Sequence, residues 1–292
     1  MSILDTMFIL ITYLGDELFI FISLPFIYLF RKKFGLRLAV AVLVTIYFAS
    51  LLKMILRIPR PDPSNWKIEV SGYSFPSGHA ADSAAFWGFI GISYKDNKYV
   101  LALTTIIFTL VGFSRIYLGV HWWFDVVGGW ILGLVIAILT YFYSSYVEKK
   151  VQEFDIKIKI SVSLILFLLM VLLGYPFSYG DLDDFYNLIK VSSVLLGIFI
   201  GLTLGEKIYE KWEDGETLKQ FILRGLIGLL IIVTPFIIYK AFETLVIIFV
   251  SFTLIGLLLT LVPPIIIQKI GLNLISFLLF FVYSFPFIFF LT

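Results

Sequence analysis

The sequence predicts an all-α integral membrane protein, on three observations. Hydrophobic residues make up 60% of the 292-residue chain and charged residues 14%, with a mean hydropathy of +1.02. A water-soluble domain carries ~45–50% apolar and ~25% charged residues and could not bury such an excess. Apolar runs of about 20 residues, the length that crosses a bilayer core, recur along the whole chain. Short clusters of proline, glycine and charge separate them. The same figures exclude a soluble enzyme and a disordered chain, and a net charge of +2 leaves no basic surface for nucleic acid. With no cysteine there is no disulfide framework, thiolate metal site or cysteine nucleophile.

Ten spans are predicted. The first covers 17–31. Residues 1–14 are expected to lie along the interface, because Gly15, Asp16 and Glu17 interrupt the apolar run. The first Lys or Arg is Arg31, so the chain shows no basic n-region and no cleaved signal peptide is expected. A basic break at 31–35 leads to the second span, 36–56. Residues 57–78 hold four of the ten prolines (Pro59, Pro61, Pro63 and Pro76) and read as an ordered loop at one membrane face. Ser77 is expected to cap the third span, 79–95. The fourth, 99–117, follows the break at 95–98. The fifth, 122–146, opens on Trp122, Trp123 and Phe124, which read as an interfacial aromatic belt. Polar breaks at 147–157, 178–187 and 206–219 then set off spans at 158–176, 188–205 and 220–239. The last two are 243–267 and 272–291.

Orientation follows from Lys and Arg. With the N-terminus outside, 15 of the 22 fall on the inner side and 7 on the outer. This places the Pro-rich loop, and the acidic stretch at 180–184, outside the cytoplasm.

Alternation of the spans brings three polar clusters to that outer face. The first runs from Lys53 through Arg57 to Arg60 and Pro61. The second is Pro76, Ser77, Gly78 and His79. The third is Ser114 and Arg115, then His121 after five residues and Asp125 after three more. Both histidines of the chain lie here. Gly78 lets backbone N–H groups approach a ligand, and a helix N-terminus attracts anions. His121 and Asp125, four apart, share a helix face. Asp125 can hold one imidazole nitrogen and leave the other as base or nucleophile. Lys53, Arg60 and Arg115 supply three cations, and phosphoryl transfer depends mainly on such positioning and charge. From these residues alone either histidine could be the nucleophile; the Asp125 spacing favours His121. Taken singly, Lys53 and Arg57 read as interfacial snorkelling side chains, and Asp82 as a helix-start residue complementing the dipole. Asp16 and Glu17 read as closing the outer end of the first span, the alternative being that they face the catalytic cleft. Asp181, Asp183 and Asp184 read as a solvated loop rather than a metal site.

Together the clusters resemble the three signature motifs of the type 2 phosphatidic acid phosphatase superfamily. These are Lys, six residues, Arg-Pro; Pro-Ser-Gly-His; and Ser-Arg, five residues, His, three residues, Asp. Every position is filled, by Lys53, Arg60, Pro61, Pro76, Ser77, Gly78, His79, Ser114, Arg115, His121 and Asp125. The resemblance covers residues 1–177 and implies a six-helix lipid phosphatase core. Residues 178–292 add about four transmembrane helices outside the signature. There, 201–210 and 224–228 look like C-terminal regions of the dolichyl-diphosphatase and sphingosine-phosphate-phosphatase branch.

The resemblance implies a multi-pass, metal-independent, cofactor-free lipid phosphate phosphatase of the cell membrane with an extracytoplasmic active site. His121 would be the nucleophile, passing through a phosphohistidine, and Asp125 would orient it. His79 would protonate the leaving oxygen and then help activate water. Lys53, Arg60, Arg115, Ser77 and the Gly78 N–H would hold the phosphate. A polyprenyl mono- or diphosphate is the first expected substrate, then phosphatidate or phosphatidylglycerol phosphate. Expected partners are that lipid and the surrounding membrane, not nucleic acid. The competing readings are a phosphotransferase using the same intermediate and a non-enzymatic lipid transporter; the intact signature speaks against the second. No catalytic group is expected from residues 178–292. The charge asymmetry predicts that Lys33→Cys, Lys98→Cys and Lys150→Cys, made singly, stay unlabelled by an impermeant thiol reagent in intact cells. The absence of native cysteine removes background, and labelling from outside would reverse the orientation.

Overall fold

A computed structural model describes residues 2–179, 182–206, 214, 217–242 and 244–270. Among the described residues the regular structure is helical throughout. The helices are α1 (Ile3–Thr12), α2 (Glu17–Phe30), α3 (Lys32–Leu56), α4 (Gly78–Ser93) and α5 (Lys98–Tyr117). They continue with α6 (Trp123–Gln152), α7 (Ile156–Gly174), α8 (Leu182–Leu204), α9 (Leu218–Phe242) and α10 (Leu245–Ile270). The chain is a multi-pass membrane protein. Seven described helices are long and apolar enough to cross a bilayer alone, and an eighth crossing results if α1 and α2, bent by 46° at Gly15–Asp16, act together.

Nine of the ten expected spans correspond to α2–α10; the tenth, 272–291, lies outside the described residues. Two of the nine are shorter than a bilayer requires. Helix α2 has 14 residues and α4 has 16, and 16 residues rise only about 24 Å. The face of α4 from Ala80 to Phe86 is buried by protein, so it needs no lipid-spanning length. Several expected breaks are helical. One residue, Arg31, separates α2 from α3, and α6 runs on to Gln152. Charged residues at these ends prolong helices into the interface instead of ending them. Much of the break at 206–219 is outside the described residues, as are Asp181 and 207–210.

Helix α3 is central. It packs on α2, α4, α6 and α8, and one buried cluster joins its Leu38, Val42, Ile46 and Met54 to Phe86 and Phe89 of α4, Ile136 of α6 and Leu188 and Val194 of α8. Outside it, α5 and α7 expose aliphatic faces, with Leu103 and Ile106 on the first and Leu164, Leu166 and Leu169 on the second, as lipid-facing helices do.

Within a membrane, close helix contact depends on small residues because apolar burial gives little preference for protein over lipid. Helix α6 meets α4 in this way: a Cβ on Gly133 would fall 2.2 Å from the Ala81 carbonyl oxygen. Helices α8 and α10 meet likewise, a Cβ on Gly256 falling 2.2 Å from the Val194 carbonyl oxygen. The Gly133 contact sets the distance between the helices that carry His79 and Asp125. Gly133→Leu should therefore force α4 and α6 apart, costing about 1–3 kcal/mol as overpacked cores do. A lowered thermal midpoint in detergent is the expected readout, and an unchanged midpoint would contradict this packing.

Candidate active site

The three polar clusters meet at one end of the bundle. Helix α3 ends at Leu56, with Arg57 in the left-handed region at φ 51°, and the loop 57–77 folds over the ends of α4 and α6. The Ser74 N–H donates to the Ile58 carbonyl at 2.8 Å. Trp66 Nε1 donates to Pro61 O at 3.0 Å, and Trp122 Nε1 donates to Pro59 O at 3.1 Å. Trp122 thus fastens the Pro-rich loop to the start of α6 as well as lying in the expected aromatic belt. Between α5 and α6, Gly119 turns the chain at φ +75°, close against the Asn65 carbonyl.

Asp125 occupies the first turn of α6. Its Oδ2 accepts from the Trp122 N–H at 2.7 Å and from the Ser74 hydroxyl, and lies 3.3 Å from His121 Nδ1. Its carbonyl accepts the Ser77 N–H at 3.0 Å, which pins the start of α4 to α6. On the other side of the His121 ring, Nε2 lies 3.0 Å from Arg60 Nη1. A guanidinium has no acceptor, so Nε2 carries the lone pair and the proton sits on Nδ1, facing Asp125. Arg60 also donates to the carbonyls of Ser71, Gly72 and Val120.

Burial, and after it the charges of Arg60, Arg115, Lys53 and His79, hold His121 well below its ordinary value of 6.5. Lys53 pairs with Asp184 at 3.8 Å, and its Nζ lies 3.9 Å from the space a Cβ on Gly78 would fill. Arg115, 3% exposed, donates from Nη1 to Thr12 Oγ1 at 3.0 Å. His79 Nε2 lies 3.4 Å from Asp16 Oδ2. Three buried polar atoms of the site have no hydrogen-bond partner among the described residues: Ser77 Oγ, Arg115 Nε and Asp125 Oδ1.

All eight expected site residues are therefore at this end. Three expectations are corrected. Asp184, expected in a solvated loop, is 5% exposed in the first turn of α8 and pairs with Lys53. Ser77 occupies the N-cap position of α4, but its hydroxyl makes no cap bond and is buried without a partner among the described residues. Asp82 is no first-turn dipole partner: it lies in the second turn of α4, 3% exposed, with Oδ1 unpartnered. Ser74, Thr12 and Asp184 were not singled out as site residues. Asp184 brings the C-terminal helices to Lys53. Only the adjacency of Ser74 to the Pro-Ser-Gly-His run could have pointed to it.

With this geometry in place, the chain can be set beside known proteins. Residues 34–149, less than half of the chain, match the PAP2 superfamily. An undecaprenyl-diphosphatase of Sulfolobus acidocaldarius is 32% identical over 114 residues, 37% of this chain and 54% of that protein. Sphingosine-1-phosphate phosphatase 1 of Rattus norvegicus is 36% identical over 140 residues, 44% of this chain and 33% of that protein. The chain thus spans about half the length of the first relative and a third of the second. A crystal structure of a transmembrane PAP2-type phosphatidylglycerolphosphate phosphatase from Bacillus subtilis is 29% identical, covering 50% of this chain and 79% of that one, with a TM-score of 0.46. Among the described residues no cluster of three or more His, Asp or Glu is arranged for a metal ion.

The surroundings of His121 give a pH prediction. Burial and adjacent cations disfavour the imidazolium, so the folded ring stays neutral below 6.5. In His79→Gln, where His121 is the one remaining imidazole, ¹⁵N NMR should show its midpoint below 6.5, and Arg60→Gln should move it upward. The same depression makes acid destabilising. Above 6.5 neither state is protonated; below it the unfolded chain takes up a proton that the folded site refuses. A His121 midpoint at or above 6.5 would contradict this electrostatic reading.

Proposed function

We propose that the chain is a membrane lipid phosphate phosphatase that works through a phosphohistidine on His121. One observation carries the reading: at the end of the bundle where His121 Nε2 carries a lone pair, a buried Ser77 hydroxyl and a buried Arg115 Nε–H have no partner among the described residues. Buried donors without partners are costly, and a phosphoryl group supplies the acceptors they lack. In this reading Nε2 attacks phosphorus in line while the bond to the leaving oxygen breaks. Asp125 stabilises the charge that develops on the imidazole. Arg60 moves from Nε2 to a phosphoryl oxygen, where it joins Lys53, Arg115, Ser77 and the Gly78 N–H. His79 gives its proton to the leaving oxygen, then takes one from the water that attacks the phosphohistidine, releasing phosphate and restoring His121.

A lipid substrate fits a site at the end of a transmembrane bundle. A polyprenyl diphosphate is favoured, consistent with the activity named for the Sulfolobus relative; its leaving group is a polyprenyl phosphate. A phosphatidate, or a phosphatidylglycerol phosphate, comes next. The cation asymmetry supports an extracytoplasmic site, and the signature-bearing part is residues 1–177.

The test is phosphate release by purified protein from a panel of lipid mono- and diphosphates. Turnover should persist in excess EDTA, because Lys53, Arg60 and Arg115 carry the charge a metal would otherwise carry, and vanadate should inhibit. His121→Ala should be inactive on every substrate. His79→Ala should keep more activity on an aryl phosphate than on an alkyl one, since general acid assistance is worth ~10²–10⁴-fold where the leaving group is poor. Loss in EDTA restored by Mg²⁺, or substantial activity in His121→Ala, would overturn the mechanism.

A further inference from the structure

The turn between α1 and α2 precedes the PAP2 match and carries no signature residue, yet it forms a wall of the site. Thr12 accepts from Arg115 at 3.0 Å. Two residues on, Trp87 Nε1 donates to the Leu14 carbonyl at 2.9 Å and ties the turn to α4. Gly15 lies directly on the first turn of α4: a Cβ there would fall 2.8 Å from the His79 carbonyl oxygen and 3.0 Å from Ser83 Cβ. Asp16 divides its carboxylate between two tasks. Oδ1 accepts the Leu18 N–H at 2.8 Å and caps α2, while Oδ2 lies 3.4 Å from His79 Nε2. The bond to His79 is the first cause of the lowered value of the Asp16 carboxyl.

We propose that Asp16 is a positioning residue for His79, fixing the orientation of the imidazole through Nε2. The inference rests on the phosphatase reading above. The charged groups facing His79 are Arg115 from α5, Lys53 from α3 and Asp16 itself. His79 in turn acts on His121, and Asp16 on Glu17 and Asp82. Burial and two cations oppose a proton on His79, and a general acid must carry one. Asp16, 3.4 Å from the ring, acts against them in part. With Nε2 held by Asp16, Nδ1 is the nitrogen directed to substrate, just as Asp125 holds one nitrogen of His121 and leaves the other. In the transfer, the imidazolium N–H proton passes to the leaving oxygen as its bond to phosphorus breaks. The neutral ring then accepts a proton from the attacking water.

Asp16→Asn tests this, because Asn caps a helix about as well as Asp and only the charge is removed. The full-length protein in detergent is offered an alkyl lipid phosphate and an aryl phosphate across pH. On the alkyl ester kcat should fall about 10–100-fold, within the range of general acid catalysis, and the basic limb of its pH profile should move to lower pH. Turnover of the aryl ester should change by less than about threefold, because a good leaving group needs little proton donation. Asp16→Glu should restore part of the loss. A second readout needs no activity. In His121→Ala the one remaining imidazole is His79, and ¹⁵N NMR should show its midpoint fall when Asp16→Asn is added. If Asp16→Asn does not stay folded, Asp16→Ser, which also caps a helix, carries both readouts. Equal losses on the two esters, or an unmoved His79 midpoint, would overturn the proposal. If the parent protein releases no phosphate at all, the phosphatase reading fails, and the His79 midpoint alone decides the pairing.

Discussion

The site depends on the carboxylate of Asp125. One oxygen gathers the Trp122 N–H, the Ser74 hydroxyl and His121 Nδ1, and the backbone carbonyl of the same residue takes the Ser77 N–H. Through these contacts one residue in the first turn of α6 holds the α5–α6 turn, the Pro-rich loop and the start of α4 in register. A carboxylate with no exposed surface is tolerable only with such donors. The arrangement also fixes the His121 tautomer, which in turn leaves Nε2 as the acceptor. Losing Asp125 would therefore remove the local geometry of the site together with one charge.

The helices supply the distances that this network needs. Gly133 lets α6 approach the Ala81 backbone closely, so that the first turns of α4 and α6 lie side by side and the Ser77 N–H reaches Asp125. A larger residue would separate His79 from Asp125 before it touched either. Small residues deep in the bundle thus govern the chemistry at its end, because two rigid helices pass a displacement along their full length.

Most of the architecture was legible because membrane spans are written as long apolar runs, and the three clusters because their spacing is local. Ser114 to Asp125 is a short stretch whose geometry follows from a helix end, a turn and a helix start. What was not legible are pairings between distant segments. Asp184 meets Lys53, and Asp16 meets His79, across 131 and 63 positions of sequence; no periodicity encodes such approaches. Ser77 misled for a related reason. A serine before a helix is usually a cap, but here its N–H donates to Asp125 and its hydroxyl is buried without a cap bond. Asp82 has the composition of a first-turn acid, yet it lies one turn too deep to serve the dipole.

The pairings from outside residues 34–149 change the character of the site. Inside that range the ligand-free centre has three cations, Lys53, Arg60 and Arg115, against Asp125. Asp16 from the N-terminal turn and Asp184 from α8 bring two further carboxylates, one to His79 and one to Lys53. Bare clustered cations would repel one another and would bind any phosphate tightly, substrate and product alike. Such uniform binding lowers the energy of the bound ground state without raising the rate of the chemical step. In the proposed phosphatase, carboxylates that hold Lys53 and His79 would make an incoming phosphoryl group exchange for existing partners. Binding would then be weakened most where it is least selective, and the strongest new contacts would be reserved for the charge that develops as the bond to the leaving oxygen breaks.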